Sequence, residues 1–420
     1  MRARLIVLVA IVGCAGQSVT VTRLDEDPPA RSPRYDSPAA AIQHAAFDHL
    51  ARRTDLTAEE RALVAALRDV EEGRLAQAEP ALARLAAANS KDVRRRADIA
   101  RFWTLVGQNR WTEAVASHGS DDLFARVLPL ARAWAHAPPE RVTFTAPSAT
   151  VPADLGSQDV PFVRGRVGDH ECMFLVDTGA TFTMLSTDVA EAAGIRPVDA
   201  GVGVATATKR RIEVRPAVVP RLSVANVVFE NHPCLVADSE DLTFTFLLFS
   251  FLRIDGVLGW NAIRSLDIEI DYRVPEVTIR EPRPRSTARN LLWLGAPVVR
   301  ARLEDGMPVL ADLDTGASAS NAFPCFFDVL PEGYWQTLTG NVHDGSAHMW
   351  GAGGSERVRT RTVDRLTIVV DRHRLQFRRL PAHGHALTAI FVPVVRLGND
   401  IALKGTMRID FKNSALELGP

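Results

Sequence analysis

The sequence predicts a multidomain chain, an all-α N-terminal part built of helical hairpins followed by an all-β part built as a tandem repeat. Three observations predict it. Between about residues 39 and 137 the chain is rich in Ala, Leu, Arg and Glu with apolar residues at helical spacing, as in Leu63, Leu67 and Val70. After Pro138-Pro139 the pattern changes to short alternating runs of Val, Ile, Thr and Phe bounded by Gly and Pro. The β part then contains the same landmarks twice, in register.

A chain of 420 residues is long enough for two or three domains. With 49 Lys and Arg against 50 Asp and Glu, the net charge of −1 gives no electrostatic footprint for nucleic acid, which is not expected as a partner. At 46% hydrophobic and 24% charged residues, the chain can bury sizeable cores and is not disordered.

From the N-terminus, residues 1–13 read as a signal peptide: Arg2 and Arg4, the apolar run Leu5 to Val12, then Gly13. The run is too short to span a bilayer as a helix. Ile11-Val12-Gly13-Cys14 resembles the lipobox of bacterial lipoproteins, which implies lipidation at Cys14 and attachment to the membrane by the lipid alone. The expected location is the bacterial cell envelope, as a periplasm-facing or surface lipoprotein, and Ala15 leans toward the outer membrane. Residues 14–38, with Pro28-Pro29 and Pro33, read as a flexible linker. Three cysteines remain, Cys172, Cys234 and Cys325; one pair, Cys172 with Cys234 for choice, or three free thiols are both compatible with the sequence.

Residues 39–137 are expected to be helical. Two turns look alike, Gly73-Arg74-Leu75-Ala76 and Asn109-Arg110-Trp111-Thr112, with their arginines 36 apart (110 − 74). This resembles tetratricopeptide repeats, which implies a groove for a protein partner; an irregular bundle without a binding role fits the same pattern.

The β part carries the informative feature. Copy one has Leu175-Val176-Asp177-Thr178-Gly179-Ala180-Thr181, and copy two Asp312-Leu313-Asp314-Thr315-Gly316-Ala317-Ser318, an offset of 137 (314 − 177). Further on, Leu258-Gly259 matches Leu397-Gly398 and Ile270-Asp271-Tyr272 matches Ile409-Asp410-Phe411, both at an offset of 139 (398 − 259, 410 − 271). One aspartate at the end of an apolar strand is a carboxylate in a turn. Two of them face to face in a dry site cannot easily both ionise, so one proton is shared and the pair offers an acid and a base together. The ionised member can take a proton from water while the protonated member stabilises a developing oxyanion.

These residues resemble the retropepsin-like aspartic peptidases, over about residues 158–283 and 288–420. The resemblance implies two retropepsin-like barrel lobes on one chain, a pseudo-dimeric acid-protease fold with Asp177 and Asp314 as catalytic dyad and a peptide or protein substrate. It implies that Thr178 and Thr315 cross-brace the active loops, that Gly179, Ala180, Gly316 and Ala317 support them, and that Gly259 and Gly398 pack behind. The spacing of the copies favours compact viral-type lobes over a pepsin-like enzyme. Copy two departs from the pattern at Arg396, where an apolar residue is expected, and Asp312 adds a carboxylate beside the dyad.

Covering hairpins are expected between each Asp-Thr-Gly and the later glycine: Gly201-Val202-Gly203-Val204 with the strand to Val214, and His343 to Arg361, where Trp350 could cover the cleft in place of the missing flap tyrosine. Ala180 and Ala317 provide no hydroxyl to hold a carboxylate ionised, which predicts a dyad working near neutral pH. His373, His383 and His385 are expected at the surface, Arg94-Arg95-Arg96 on a solvated helix face, and Arg280 to Arg289 in the linker between lobes. No metal and no cofactor is expected, and no Gly-x-Ser-x-Gly or dinucleotide fingerprint is present.

The sequence therefore reads as a lipid-anchored aspartic endopeptidase. The alternative is a catalytically inactive peptide-binding or scaffold lipoprotein that keeps the lobes, with Arg396 and Asp312 reflecting lost chemistry; a third arrangement pairs each copy with a second chain.

Overall fold

Helical spacing gives way to strand spacing after Pro139, and the backbone follows it. The computed structural model describes residues 10–13, 17–25, 35, 37–117, 124–205, 211–246, 250–287, 289–293, 295–329, 334–351, 354–384 and 390–420. Cys14 and His385 lie outside them.

The helical part comprises α1 (Pro38–Gln43), α2 (Phe47–Ala51), α3 (Ala58–Glu71), α4 (Leu75–Leu85), α5 (Lys91–Val106), α6 (Trp111–Ser117) and α7 (Phe124–Trp134). A capping box starts α3: the Thr57 hydroxyl accepts from the Glu60 N–H while Glu60 accepts from the Thr57 N–H. The two similar turns are the α3–α4 and α5–α6 connections. In each the residue before the arginine is left-handed, Gly73 with φ 72° and Asn109 with φ 55°, a conformation that glycine and asparagine tolerate best. Arg96 is buried on α5 and ion-paired to Asp92 one turn earlier, so the arginine run is not a solvated face throughout. This helix is packed on most sides, and the i,i+4 carboxylate offsets the cost of burying the charge.

In lobe one, strand Phe162–Val167 runs antiparallel to His170–Val176, which lies parallel to Gly256–Leu258. In lobe two, Pro297–Leu303, Pro308–Leu313 and Val395–Leu397 repeat the arrangement. The strands that end at the aspartates are buried on both faces near their C-terminal ends, as their unbroken apolar runs require. The repeat is kept in the register: Leu258 pairs with Val176 and Leu397 with Leu313.

A shared antiparallel ladder joins the lobes in the order Glu276–Arg280, Asp267–Asp271, Thr406–Asp410, Ala415–Gly419. Ile268 pairs with Ile409, Glu269 with Arg408 and Ile270 with Met407. At the repeat offset of 139, Arg408 is the counterpart of Glu269 itself, so a pseudo-twofold axis passes between these two residues. Both hairpins are formed, Val202–Ala205 with Arg211–Val224 and Val342–Gly351 with Gly354–Val370.

The stretch read as a flexible linker contains a strand: Ser18–Arg23 pairs antiparallel with His373–Ala382, extending lobe two. The alternation Ser-Val-Thr-Val-Thr is a strand signal that the prolines further on mask, and Val19 packs against the core. Ala10–Gly13 pairs with the Val342–Gly351 strand. The helical part contacts both lobes. The Trp134 indole N–H donates to Ala217 O at 2.9 Å and its ring lies 5.0 Å from that of Phe182 in lobe one. Trp103 meets Trp293 edge-on at 6.0 Å, and Glu71 is ion-paired with Arg300 of lobe two. Cys172, Cys234 and Cys325 are free thiols.

Candidate active site

Each aspartate follows an apolar strand and is held by the glycine strand beside it. The Asp177 N–H donates to Leu258 O at 3.1 Å and the Asp314 N–H to Leu397 O at 3.0 Å. The turn then closes on the carboxylate: Gly179 N–H and Ala180 N–H donate to Asp177 Oδ1 at 2.8 and 3.1 Å, and Gly316 N–H to Asp314 Oδ1 at 3.0 Å.

The threonines lock one turn to the other. Thr178 N–H donates to Thr315 Oγ1 and Thr315 N–H to Thr178 Oγ1, both at 3.0 Å. Their hydroxyls donate across the interface to Leu313 O and Val176 O, both at 2.8 Å. The pattern is symmetric and entirely buried, and it brings Asp177 and Asp314 within hydrogen-bonding reach of each other. The glycines permit the approach. A Cβ on Gly179 would lie 2.7 Å from Asp314 Cγ, and one on Gly316 2.5 Å from Asp177 Cγ. Behind the turns, a Cβ on Gly259 would meet Phe182 O at 2.6 Å and one on Gly398 would meet Ala317 O at 2.8 Å, so neither position has room for a side chain.

A matched pair of supports escaped the sequence reading. In lobe one, Thr183 N–H donates to Asn261 Oδ1 at 2.7 Å and Thr183 Oγ1 accepts from Gly259 N–H at 3.3 Å. In lobe two, Ser320 N–H donates to Asp400 Oδ2 and Ser320 Oγ accepts from Gly398 N–H, both at 3.0 Å. Thr183 and Ser320 are 137 apart (320 − 183), and Asn261 and Asp400 are 139 apart (400 − 261), the offsets of the landmarks themselves. Extending the register would have found them.

Both aspartates have no exposed surface, and their outer Oδ2 atoms accept no other hydrogen bond among the described residues. Burial pushes Asp177 well above the ordinary carboxylate range, and the adjacent Asp314 charge pushes it further. Burial raises Asp314 to about 6, against the opposing pull of the Arg396 guanidinium.

The two departures in copy two answer each other. Arg396 and Asp312 are register partners in adjacent parallel strands, and Arg396 Nε donates to Asp312 Oδ2 at 3.2 Å. The same Nε is 3.2 Å from Asp314 Oδ2, with Phe323 beneath the guanidinium at 5.3 Å. The matching pair in lobe one is Leu175 with Val257. Comparing the copies at these paired positions was the signal for a compensated exchange. His383 is buried beside this group rather than at the surface, its ring pushed down to about 3 by burial and by Arg396, and both ring nitrogens lack partners among the described residues. A neutral imidazole can be buried where a charged one cannot. The Trp350 backbone lies in the Val342–Gly351 strand, and its side chain is outside the described set. Among the described residues no group of three or more His, Cys, Asp or Glu side chains is placed to hold a metal ion.

Residues 163–262 match the model of a family described as aspartyl protease. A solved structure similar to part of this chain is that of a retropepsin-like aspartic protease from Rickettsia conorii, at 15% identity, covering 34% of this chain and 94% of that one with a TM-score of 0.23. No curated protein sequence matches the chain. The family match lies within lobe one, and lobe two repeats its strand arrangement and register.

Proposed function

We propose that the protein is an aspartic endopeptidase whose catalytic residues are Asp177 and Asp314, one from each lobe of a single chain. The observation that carries this reading is the face-to-face pair of Asp-Thr-Gly turns, joined by four symmetric threonine hydrogen bonds, with outer carboxyl oxygens that accept no hydrogen bond among the described residues. The ionised carboxylate takes a proton from a water as its oxygen bonds the peptide carbonyl carbon. The protonated partner gives its proton to the carbonyl oxygen. Collapse of the tetrahedral species then breaks the C–N bond: one of its two hydroxyls returns a proton to the partner carboxylate as the carbonyl reforms, and the departing nitrogen takes the proton held by the first carboxyl. The hairpins Val202–Val224 and Val342–Val370 cover the substrate in this reading, as lids that exclude water from the reacting bond.

The location belongs to the same proposal: an envelope lipoprotein attached at Cys14, with the helical part as a tetratricopeptide-like surface for a protein partner. Supporting it are the N-terminal residue pattern and the left-handed residue repeated at Gly73 and Asn109.

The test is cleavage of a mixture of unfolded proteins from pH 4 to 8 by the lipid-free chain. The parent is expected to cleave best toward neutral pH. Asp177→Asn and Asp314→Asn are each expected to lose at least a thousandfold, because each removes half of one acid–base pair. Absence of cleavage by the parent at every pH would leave peptide binding without hydrolysis as the reading.

A further inference from the structure

The two half-sites share the threonine cross-brace of their turns and differ sharply one layer away. Beneath Asp177 stand Leu175 and Val257, and beneath Asp314 stand Asp312 and Arg396. All of these are register partners at equivalent points of the two copies, so the exchange is a single paired event that turns an apolar contact into a buried ion pair. Resting on the endopeptidase reading, we propose that Arg396, anchored by Asp312, is a positioning residue that fixes Asp314 as the ionised base of the pair and leaves the proton on Asp177 as the acid.

Arg396 Nε lies 3.2 Å from Asp312 Oδ2 and 3.2 Å from Asp314 Oδ2, with the three side chains 3%, 1% and 0% exposed. In so dry a place an ion pair keeps most of its Coulomb attraction. With all three carboxylates ionised the group would carry a net charge of −2, and one shared proton reduces it to −1. That proton settles on the carboxyl farthest from the guanidinium. Asp312 accepts the Nε hydrogen bond and so is not the free base, Asp314 is the ion-pair neighbour of Arg396, and among the described residues no cation is paired with Asp177.

Asp177 accepts two backbone N–H bonds where Asp314 accepts one, which favours the opposite assignment. These are bonds from neutral amides, weaker than the attraction of a buried guanidinium. Asp312, on the same strand, repels a charge on Asp314, but its own pairing with Arg396 offsets this. His383 approaches Arg396 from the strand end at Ala382 and is neutral, so it adds no charge. The ordering agrees with the causes of the shifts: burial and the Asp314 charge push Asp177 well above its ordinary value, while Arg396 pulls Asp314 back against burial.

The experiment reads protons directly. The full chain is labelled with 13Cγ-aspartate and its carboxyl resonances are followed by NMR from pH 4 to 8, in the parent, in Asp177→Asn and in the double variant Asp312→Leu/Arg396→Val, which installs the lobe-one pair in lobe two. The parent is expected to keep one protonated aspartate at pH 7, and Asp177→Asn to remove that resonance. The double variant is expected to move the lower titration of the pair, and with it the ascending limb of kcat/KM, upward by one pH unit or more, a tenfold loss on the acid side. Arg396→Lys, which keeps the charge but loses the fixed Nε, is the milder second variant and is expected to shift the same way by less. A protonated resonance that survives Asp177→Asn, or a titration left unmoved by both variants, overturns the proposal. A parent with the expected titration and no cleavage would sink the endopeptidase reading while leaving the proton assignment standing, so the two fail separately.

Discussion

At the scale of single residues, the site is made by what is small and what is shared. Gly179 and Gly316 admit the opposite carboxylate to within contact of their Cα atoms, and no other residue leaves that space. Gly179→Ala or Gly316→Ala is expected to force the turns apart and abolish cleavage, with a stability loss on the order of 2–4 kcal/mol in urea unfolding; an active alanine variant would mean the turns do not meet. Thr178 both donates and accepts across the interface, so Thr178→Val orphans the Leu313 carbonyl and the Thr315 N–H. The expected cost is roughly 1–3 kcal/mol for each orphaned group, and a loss below 1 kcal/mol would contradict the cross-brace. The raised carboxyls also set a pH dependence. A carboxyl whose pKa is higher in the folded state stabilises the fold fully below its unfolded value and loses that contribution as pH rises through its folded value. For Asp314 the window runs from its ordinary value of 3.8 to about 6, and for Asp177 it extends higher. Stability should therefore fall as pH rises from about 4 through about 6 and beyond, and Asp177→Asn, neutral throughout, should flatten that fall. The dyad and its threonines were legible because they sit in a duplicated motif. Arg396 with Asp312, and the buried His383, were not, because the reason to bury a polar side chain lies in a partner distant in sequence.

At the scale of elements, the ladder between the lobes does what a dimer interface does in a two-chain arrangement, with its axis between Glu269 and Arg408. Arg408 reaches across it to hold Asp267 by two bonds, at 2.8 and 2.6 Å. Asp267 is almost wholly buried, so Arg408→Ala leaves a carboxylate without its counter-charge. The expected loss is about 2–3 kcal/mol, read as a lower urea midpoint, and an unchanged midpoint would show that the ladder does not depend on this pair. The helix and strand periods were readable in the sequence, as were both hairpins. The Ser18–Arg23 strand was hidden by its proline-rich surroundings, where composition outweighed a five-residue alternation.

At the scale of the whole molecule, the helical part is a buttress on both lobes. Trp134 and Trp103 anchor it to lobe one and lobe two respectively. Removing residues 1–137 would expose Phe182, Trp293 and their neighbours, and the truncated chain is expected to aggregate or to unfold at a midpoint well below that of the parent. The full chain should unfold in one transition, and two separate transitions in calorimetry would mean that helices and lobes are independent. Sequence composition fixed neither contact, because a helix face does not name the surface it covers.

The central claim is one aspartate pair on one chain, and mixing tests it. Cleavage is measured for Asp177→Asn, for Asp314→Asn and for their equimolar mixture, at a concentration where sedimentation reports monomers. The account predicts that all three samples are inactive. Activity in either single variant, or its return on mixing, would mean that the working pair is assembled between chains.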